Sequence, residues 1–341
     1  MNAGKVAVIG TGRMGRRHIQ VIRSLGLELV GVCDTQPASL ALAANEEGVP
    51  EALHFSDARA LLERTCPDCV VVATTAPTHC DYVCMAAVYG ATAILCEKPL
   101  ATSLTECDRM IDVCSQYGAR LAVNHQMRFM QQYTEAKRIT STEGFGGLKG
   151  VTVIAGNFGL AMNGTHYFEM FRYLTGEAPV EVSAWFSRER LANPRGPQFE
   201  DRAGCVRLTT ESGARFYIDA SQDQGHGFQV HYSGRYGQLT VDEATGEMRL
   251  SQRDAEHRAQ PTTRYLMPYK ITRGQVEPAD VIAPTRAVLE ALLKGTDYPT
   301  GEDGRLAVHT LIAAHLSDER GGQPVRLDDL GISRERTFPW A

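Results

Sequence analysis

The chain has no run approaching the roughly 20 apolar residues that a membrane-spanning helix needs. It also lacks an excess of positive charge: 35 Lys and Arg stand against 40 Asp and Glu, a formal net charge of −5. That balance gives no footing for nucleic acid or for an anionic membrane surface. No secretory leader is legible, because Val6-Ala7-Val8-Ile9 after Lys5 is too short for a signal core and runs into Gly10-Thr11-Gly12 instead of a cleavage site. Internal repeats are absent as well. A cytoplasmic location is expected, and nine cysteines, an odd number, then read as reduced thiols and not as a disulfide framework.

What is present is an ordinary globular composition, with 43% hydrophobic and 22% charged residues. Such a chain can bury a core, which excludes disorder. Its 341 residues suit two domains. Strand signals at residues 5–9, 29–33, 70–74, 93–96 and 121–124 alternate with helical spacing at 15–25, 38–47, 79–89 and 104–117. Alternation predicts a parallel sheet with helices on both faces. Past residue 125 strands follow one another at 151–155, 180–186, 205–210, 214–220, 228–232 and 238–241. Helical patterns break in at 166–174, 280–293 and 304–316, and 251–276 is polar and unassigned. Successive strands predict a largely antiparallel sheet. The expectation is an α/β domain over 1–123 and an α+β domain over 124–341.

Cys66-Pro-Asp-Cys69 with Cys80 and Cys84 has a spacing that four thiolate zinc ligands would also show. Cys69 opens an apolar strand, however, and Cys80 and Cys84 lie one turn apart in a helical segment. Packing is the expected role of these thiols, and no metal is expected.

Gly10-Thr-Gly12-Arg-Met-Gly15 is a G-x-G-x-x-G between the first strand and the first helix. Asp34 ends the second strand 19 positions after Gly15, close to the spacing of a ribose-binding acid in dinucleotide sites. Gly10 allows a tight turn, Gly12 lets backbone approach a pyrophosphate, and Gly15 lets helix and strand pack closely. The helix start supplies free N–H groups and a positive dipole. A carboxylate at 34 repels a 2′-phosphate, and Thr35 and Gln36 bring no cation, so NAD is favoured. Arg13, Arg16 and Arg17 leave NADP open, although Arg16 and Arg17 also read as a solvated helix start.

Glu97-Lys98-Pro99 follows a buried strand, at the edge where open α/β sheets bind ligands. A Glu beside a Lys is by default a surface ion pair. Here the preceding strand sets the lysine deep, and Pro99 restricts Lys98 to extended geometry. A lysine so desolvated exchanges a proton near neutral pH.

These motifs together resemble the Gfo/Idh/MocA oxidoreductases. The likeness runs through Gly10 to His18, Thr74-Thr75-Ala-Pro77-Thr-His79, Glu97-Lys98-Pro99 and Val123-Asn124-His-Gln-Met-Arg128-Phe129. It continues in Gly164-Thr165-His166, Gly234-Arg-Tyr-Gly237 and Thr300-Gly301-Glu302-Asp303-Gly304, and so covers nearly the whole chain. The resemblance implies a Rossmann domain, then an α+β domain with a large open sheet that makes dimers or tetramers, with the last helices packing back on the Rossmann domain. It implies hydride transfer between nicotinamide and a hydroxyl or keto carbon of a sugar, cyclitol or nucleotide sugar. Lys98 would be the acid/base and His166 its partner. Gly10, Gly12, Arg13, Met14, Gly15, Asp34, Thr74, Thr75, Pro77, His79, Glu97, Lys98 and Asn124 would bind cofactor, with Lys98-Pro99 a cis peptide. Arg128, Asn163 and Tyr265 are weaker candidates for the substrate.

One departure stands out. Many relatives carry Asp four residues before the histidine, and here that position is Met162, which cannot relay a proton. The expected base is therefore Lys98 with His166 alone. Two alternatives stay open: a redox-neutral enzyme that oxidises, eliminates and reduces again, and a nicotinamide-binding sensor without catalysis. The 188–202 stretch reads as a loop that meets an anionic substrate group. His226, His231, Tyr232, Arg235 and Tyr236 would line the cavity or an oligomer face.

Overall fold

A computed structural model describes residues 4–341 except 157, 191, 226 and 262–264, so His226 lies outside the described residues. The amino-terminal third runs β1 (Lys5–Ile9), α1 (Arg13–Ser24), β2 (Glu28–Cys33), α2 (Pro37–Glu47), β3 (His54–Phe55) and α3 (Ala58–Thr65). It continues with β4 (Cys69–Val72), α4 (His79–Val88), β5 (Ala93–Cys96), α5 (Leu104–Gln116) and β6 (Arg120–Val123). All six strands pair in parallel, in the order β3-β2-β1-β4-β5-β6. Strands β4 and β5 are buried on both faces, which is why they read as unbroken apolar runs rather than alternating ones.

The order reverses between β1 and β4, and ligands of open α/β sheets sit outside the carboxyl ends at that point. The ladder carries one residue past each strand there. Ala73 N–H donates to the Ile9 carbonyl at 2.8 Å, Glu97 N–H to Val72 at 2.9 Å and Asn124 N–H to Cys96 at 2.8 Å. Backbone pairing thus sets the residues after β4, β5 and β6 side by side.

The chain then forms α6 (Gln131–Thr140), β7 (Leu148–Ala155), α7 (Thr165–Thr175), β8 (Pro179–Phe186), β9 (Gly204–Thr210), β10 (Arg215–Asp219), β11 (Phe228–Gly234) and β12 (Gly237–Asp242). It closes with β13 (Glu247–Arg253), β14 (Tyr269–Gln275), α8 (Ile282–Lys294), α9 (Gly301–Glu319) and β15 (Val325–Arg326). Nine strands make one sheet, β14-β13-β12-β11-β7-β10-β9-β8-β15, antiparallel except where β7 meets β10. One face packs Val151, Val153, Val206, Phe216 and Val230 into the core, against helices that include α6, α7 and α9. The other exposes Ile154, Trp185, Tyr217 and Ile271. Helix α8 returns to the first sheet, where Val288, Leu289 and Leu292 join the core of Val6, Val8 and Val71.

Several pieces depart from the sequence expectation. The pair β3–α3 extends the parallel sheet by a strand only two residues long, too short to show a period. Helix α6 buries just Gln132, Tyr133, Ala136 and Thr140, so its apolar stripe is thin. The unassigned 251–276 segment holds part of β13 and all of β14, and β14 is exposed at every position, which removes the alternation that marks a strand. Among the described residues no helix is long and apolar enough to cross a membrane. All nine cysteines are free thiols; Cys66 is exposed, while Cys69, Cys80 and Cys84 are buried.

Candidate active site

The glycine loop is fixed by contact. Gly10 has φ +95°, and a Cβ there would lie 2.6 Å from the Ala73 backbone. A Cβ at Gly15 would sit 1.9 Å from the Gly10 carbonyl oxygen. At Gly12 it would meet nothing within 4 Å. Gly12 is the N-cap of α1 and supplies no side-chain bond, which leaves first-turn N–H groups, beside exposed Arg13 and half-buried Met14, available to an anion. Asp34 Oδ2 accepts the Thr11 N–H at 2.8 Å and hydroxyl at 3.1 Å, while Oδ1 accepts the Gln36 N–H at 2.9 Å. Its carboxylate is thereby aimed at the loop.

After β4, Thr74 and Thr75 are half-buried and Pro77 exposed at the same edge. His79 does not lie open along a cofactor as expected. Its ring is buried, with Nδ1 3.0 Å from the Pro99 carbonyl and Nε2 3.2 Å from that of Thr74. It ties the loop after β4 to the loop after β5.

Glu97 is buried and contacts three groups. Oε1 lies 2.8 Å from His18 Nε2 and accepts the Asn124 amide at 2.8 Å, and Oε2 faces the Lys98 N–H. Burial opposes its charge, yet His18, Lys98 and Asn124 together hold the carboxyl well below the usual carboxylate range. The Lys98-Pro99 peptide is cis. Lys98 is buried, and its Nζ donates to the Met162 carbonyl at 2.6 Å. Burial pulls Lys98 down to about 8, Arg195 and Arg13 add to the fall, and Glu97 and Asp201 oppose it.

His166 stands in the first turn of α7, and burial, then Lys98, lower it to about 3. Its ring meets that of His125 edge-on, with centroids 5.4 Å apart. Burial, then His166 and Arg128, push His125 well below the ordinary histidine value. Among the described residues, Asn124 Oδ1, both His125 ring nitrogens and His166 Nδ1 are buried without a hydrogen-bond partner. Orphaned polar atoms are costly in a protein interior, and a polar ligand would satisfy them.

Two weaker candidates are not brought to this point. Arg128 has its guanidinium on Glu169, Asp303 and Asp297, with Arg172 sharing the first two. Its charge is spent joining the segment after β6 to α7 and α9. Tyr265 is 88% exposed in the turn between β13 and β14, at one edge of the large sheet. Asn163 is half-buried beside Met162. His18, His125 and Asp201 are site residues that the sequence did not single out. The first two stood inside quoted motifs, and Asp201 lies in the 188–202 stretch, which reads as a substrate loop for its arginines and not for this carboxylate. A cavity of about 330 Å³ beside Arg235, Arg249 and Arg253 holds none of these groups.

Comparison with known proteins gives the family and the fold. Residues 4–125 match the family GFO_IDH_MocA, an oxidoreductase family with an NAD-binding Rossmann fold. Inositol 2-dehydrogenase 2 of Saccharopolyspora erythraea is 30% identical over 239 residues, 66% of this chain and 68% of that one. The chain belongs to the Gfo/Idh/MocA oxidoreductase family. The D-apiose dehydrogenase of Paraburkholderia graminis is 28% identical over 96% of this chain and 90% of that protein. An Agrobacterium radiobacter oxidoreductase, crystallised with NAD+, L-tartaric acid and magnesium, has the same fold at TM-score 0.79 and 20% identity, covering 95% and 98% of the two chains. The protein is accordingly an NAD-binding oxidoreductase. The open space over Gly12, the free helix start and Asp34 fit that cofactor.

Proposed function

We propose that this enzyme is an NAD-dependent dehydrogenase or reductase of a hydroxyl-bearing carbon in a sugar, cyclitol or related polyol. Lys98 is the acid/base and His166 its neighbour at the substrate. The observation that carries this reading is the buried Lys98 ammonium, held on the Met162 carbonyl, lowered to about 8 and close enough to His166 and His125 to lower both, while ring nitrogens of those histidines have no partner. Bound nicotinamide supplies the hydride acceptor or donor. Everything else falls to the chain. Gly10, Gly12 and Gly15 admit the pyrophosphate, and Asp34 binds the adenosine ribose and disfavours a 2′-phosphate. Glu97 and Asn124 hold Lys98 at the carboxyl edge of the sheet. As the free amine, Lys98 takes the hydroxyl proton; as the ammonium, it returns one to a carbonyl. Neutral His166 donates or accepts a hydrogen bond from the same oxygen.

Lys98→Met tests this. A panel of sugars, cyclitols and sugar acids is followed by NADH absorbance. Wild-type turnover that falls about 10³-fold in the variant, with NAD affinity kept, supports the assignment. Failure of the wild-type protein to bind any nicotinamide nucleotide, or full activity in Lys98→Met, overturns it.

A further inference from the structure

The turn before α7 is built in an unusual way. Leu160–Gly164 is π-helical, with the Gly164 N–H on the Gly159 carbonyl five residues back at 3.4 Å. A single π-turn of this kind often marks a functional position. The N–H groups of Ala161 and Met162 donate to Oδ1 and Oδ2 of Asp201 at 2.8 and 2.7 Å. Asp201 belongs to the segment entering β9, about 40 positions along the chain, and its neighbour Arg202 accepts the Leu160 N–H at 2.8 Å through its carbonyl. Gly159 completes the fit, since a Cβ there would lie 1.9 Å from Asp201 Oδ2. On the opposite side of this turn the Met162 carbonyl receives Lys98.

We propose that Asp201 is the positioning carboxylate of the acid/base site, gripping the 161–162 backbone so that an apolar residue at 162 still presents Lys98 with an oxygen. Asp201 also places a negative charge near an ammonium that burial, Arg195 and Arg13 disfavour and that Glu97 supports, while buried His166 and His125 are neutral. Burial pushes the Asp201 carboxyl up to about 6, so it is ionised where Lys98 titrates. The consequence for turnover rests on the role proposed for Lys98; the geometry does not.

The full chain contains six lysines, few enough to follow individually by NMR after lysine-specific ¹³C labelling. Lys98 is identified as the resonance lost in Lys98→Arg. In Asp201→Asn the Lys98 midpoint is expected to fall by about 0.5–1 pH unit, and kcat for hydroxyl oxidation by about 10–100-fold with NAD affinity unchanged. Gly159→Ala, which drives the carboxylate off its N–H partners, gives the same shift and serves where Asp201→Asn does not fold. A Lys98 midpoint that stays at the wild-type value in both variants overturns the proposal. If the midpoint moves but the wild-type protein oxidises no polyol, the function above fails and the positioning role stands. If activity is present and the midpoint is unmoved, the reverse holds.

Discussion

Lys98 decides most of what can be measured at single residues. General-base catalysis needs the free amine, so kcat/KM for oxidation should rise with pH and level off above about 8. In the reducing direction the ammonium is required, and the same midpoint should appear as a fall. His166, lowered to about 3, contributes no limb above pH 5. A rising limb centred below pH 6 would point to another base. On the same helix as His166, Tyr167 and, from α6, Tyr133 donate hydroxyl bonds to buried Glu243, and burial raises Glu243 to about 7. Folding therefore favours its protonated form. The stabilisation is complete below the ordinary carboxyl value of 4.5 and is lost as pH climbs through 7. Glu243→Gln should flatten the fall of Tm between pH 5 and 8 by several degrees, read by calorimetry. An unchanged slope would count against this burial effect.

At the scale of elements, the phosphate loop is a junction of β1, α1 and β4, and its glycines are obliged by contact. Gly15→Ala has nowhere to put its methyl, and either α1 or the Gly10 turn must move. Titration by quenching of protein fluorescence should show NAD affinity reduced at least about 100-fold, with a lowered Tm. The loop, its strand and helix, and Asp34 were legible in the sequence because the chemistry is local and glycine spacing records it. Glu97-Lys98-Pro99 was legible for the same reason, tied to the end of one strand, whereas His166 came from the family resemblance alone. Asp201 was not, because its partners Ala161 and Met162 lie far away in the chain, although the 188–202 stretch around it reads as meeting the substrate. Arg128 misled in the opposite way: a lone arginine beside Asn124 looks free until Glu169 and Asp303 arrive from α7 and α9. Strand β14 was invisible because a strand exposed on both faces has no period.

Over the whole molecule, two sheets share the site. Glu97, Lys98 and Asn124 come from the parallel sheet, and His166 and Met162 from the chain between β7 and β8 of the nine-stranded one. The Arg128, Arg172, Glu169 and Asp303 cluster joins these parts. The outer face of the large sheet has no such partner within the described residues. Trp185 is half exposed, in register through Cys205 and Asp219 with exposed Ile154. An open face of this kind, with Ile154, Trp185 and Tyr217 set among polar residues such as Arg207, His231 and Thr240, suits pairing with a second copy. Trp185→Glu should shift sedimentation towards the monomer while leaving NAD binding intact. A wild-type protein that already sediments as a monomer would sink the proposed assembly.

The carbonyl that holds Lys98 bears on how the site resets. A peptide oxygen accepts an N–H but does not carry a proton away at neutral pH. Glu97 is turned towards His18 and Asn124, and Asp201 is occupied by the backbone behind the turn. Under the proposed chemistry a proton gathered by Lys98 therefore finds no relay inward among these groups. It leaves on the side of Lys98 where substrate would bind, so the proton and the product share one route.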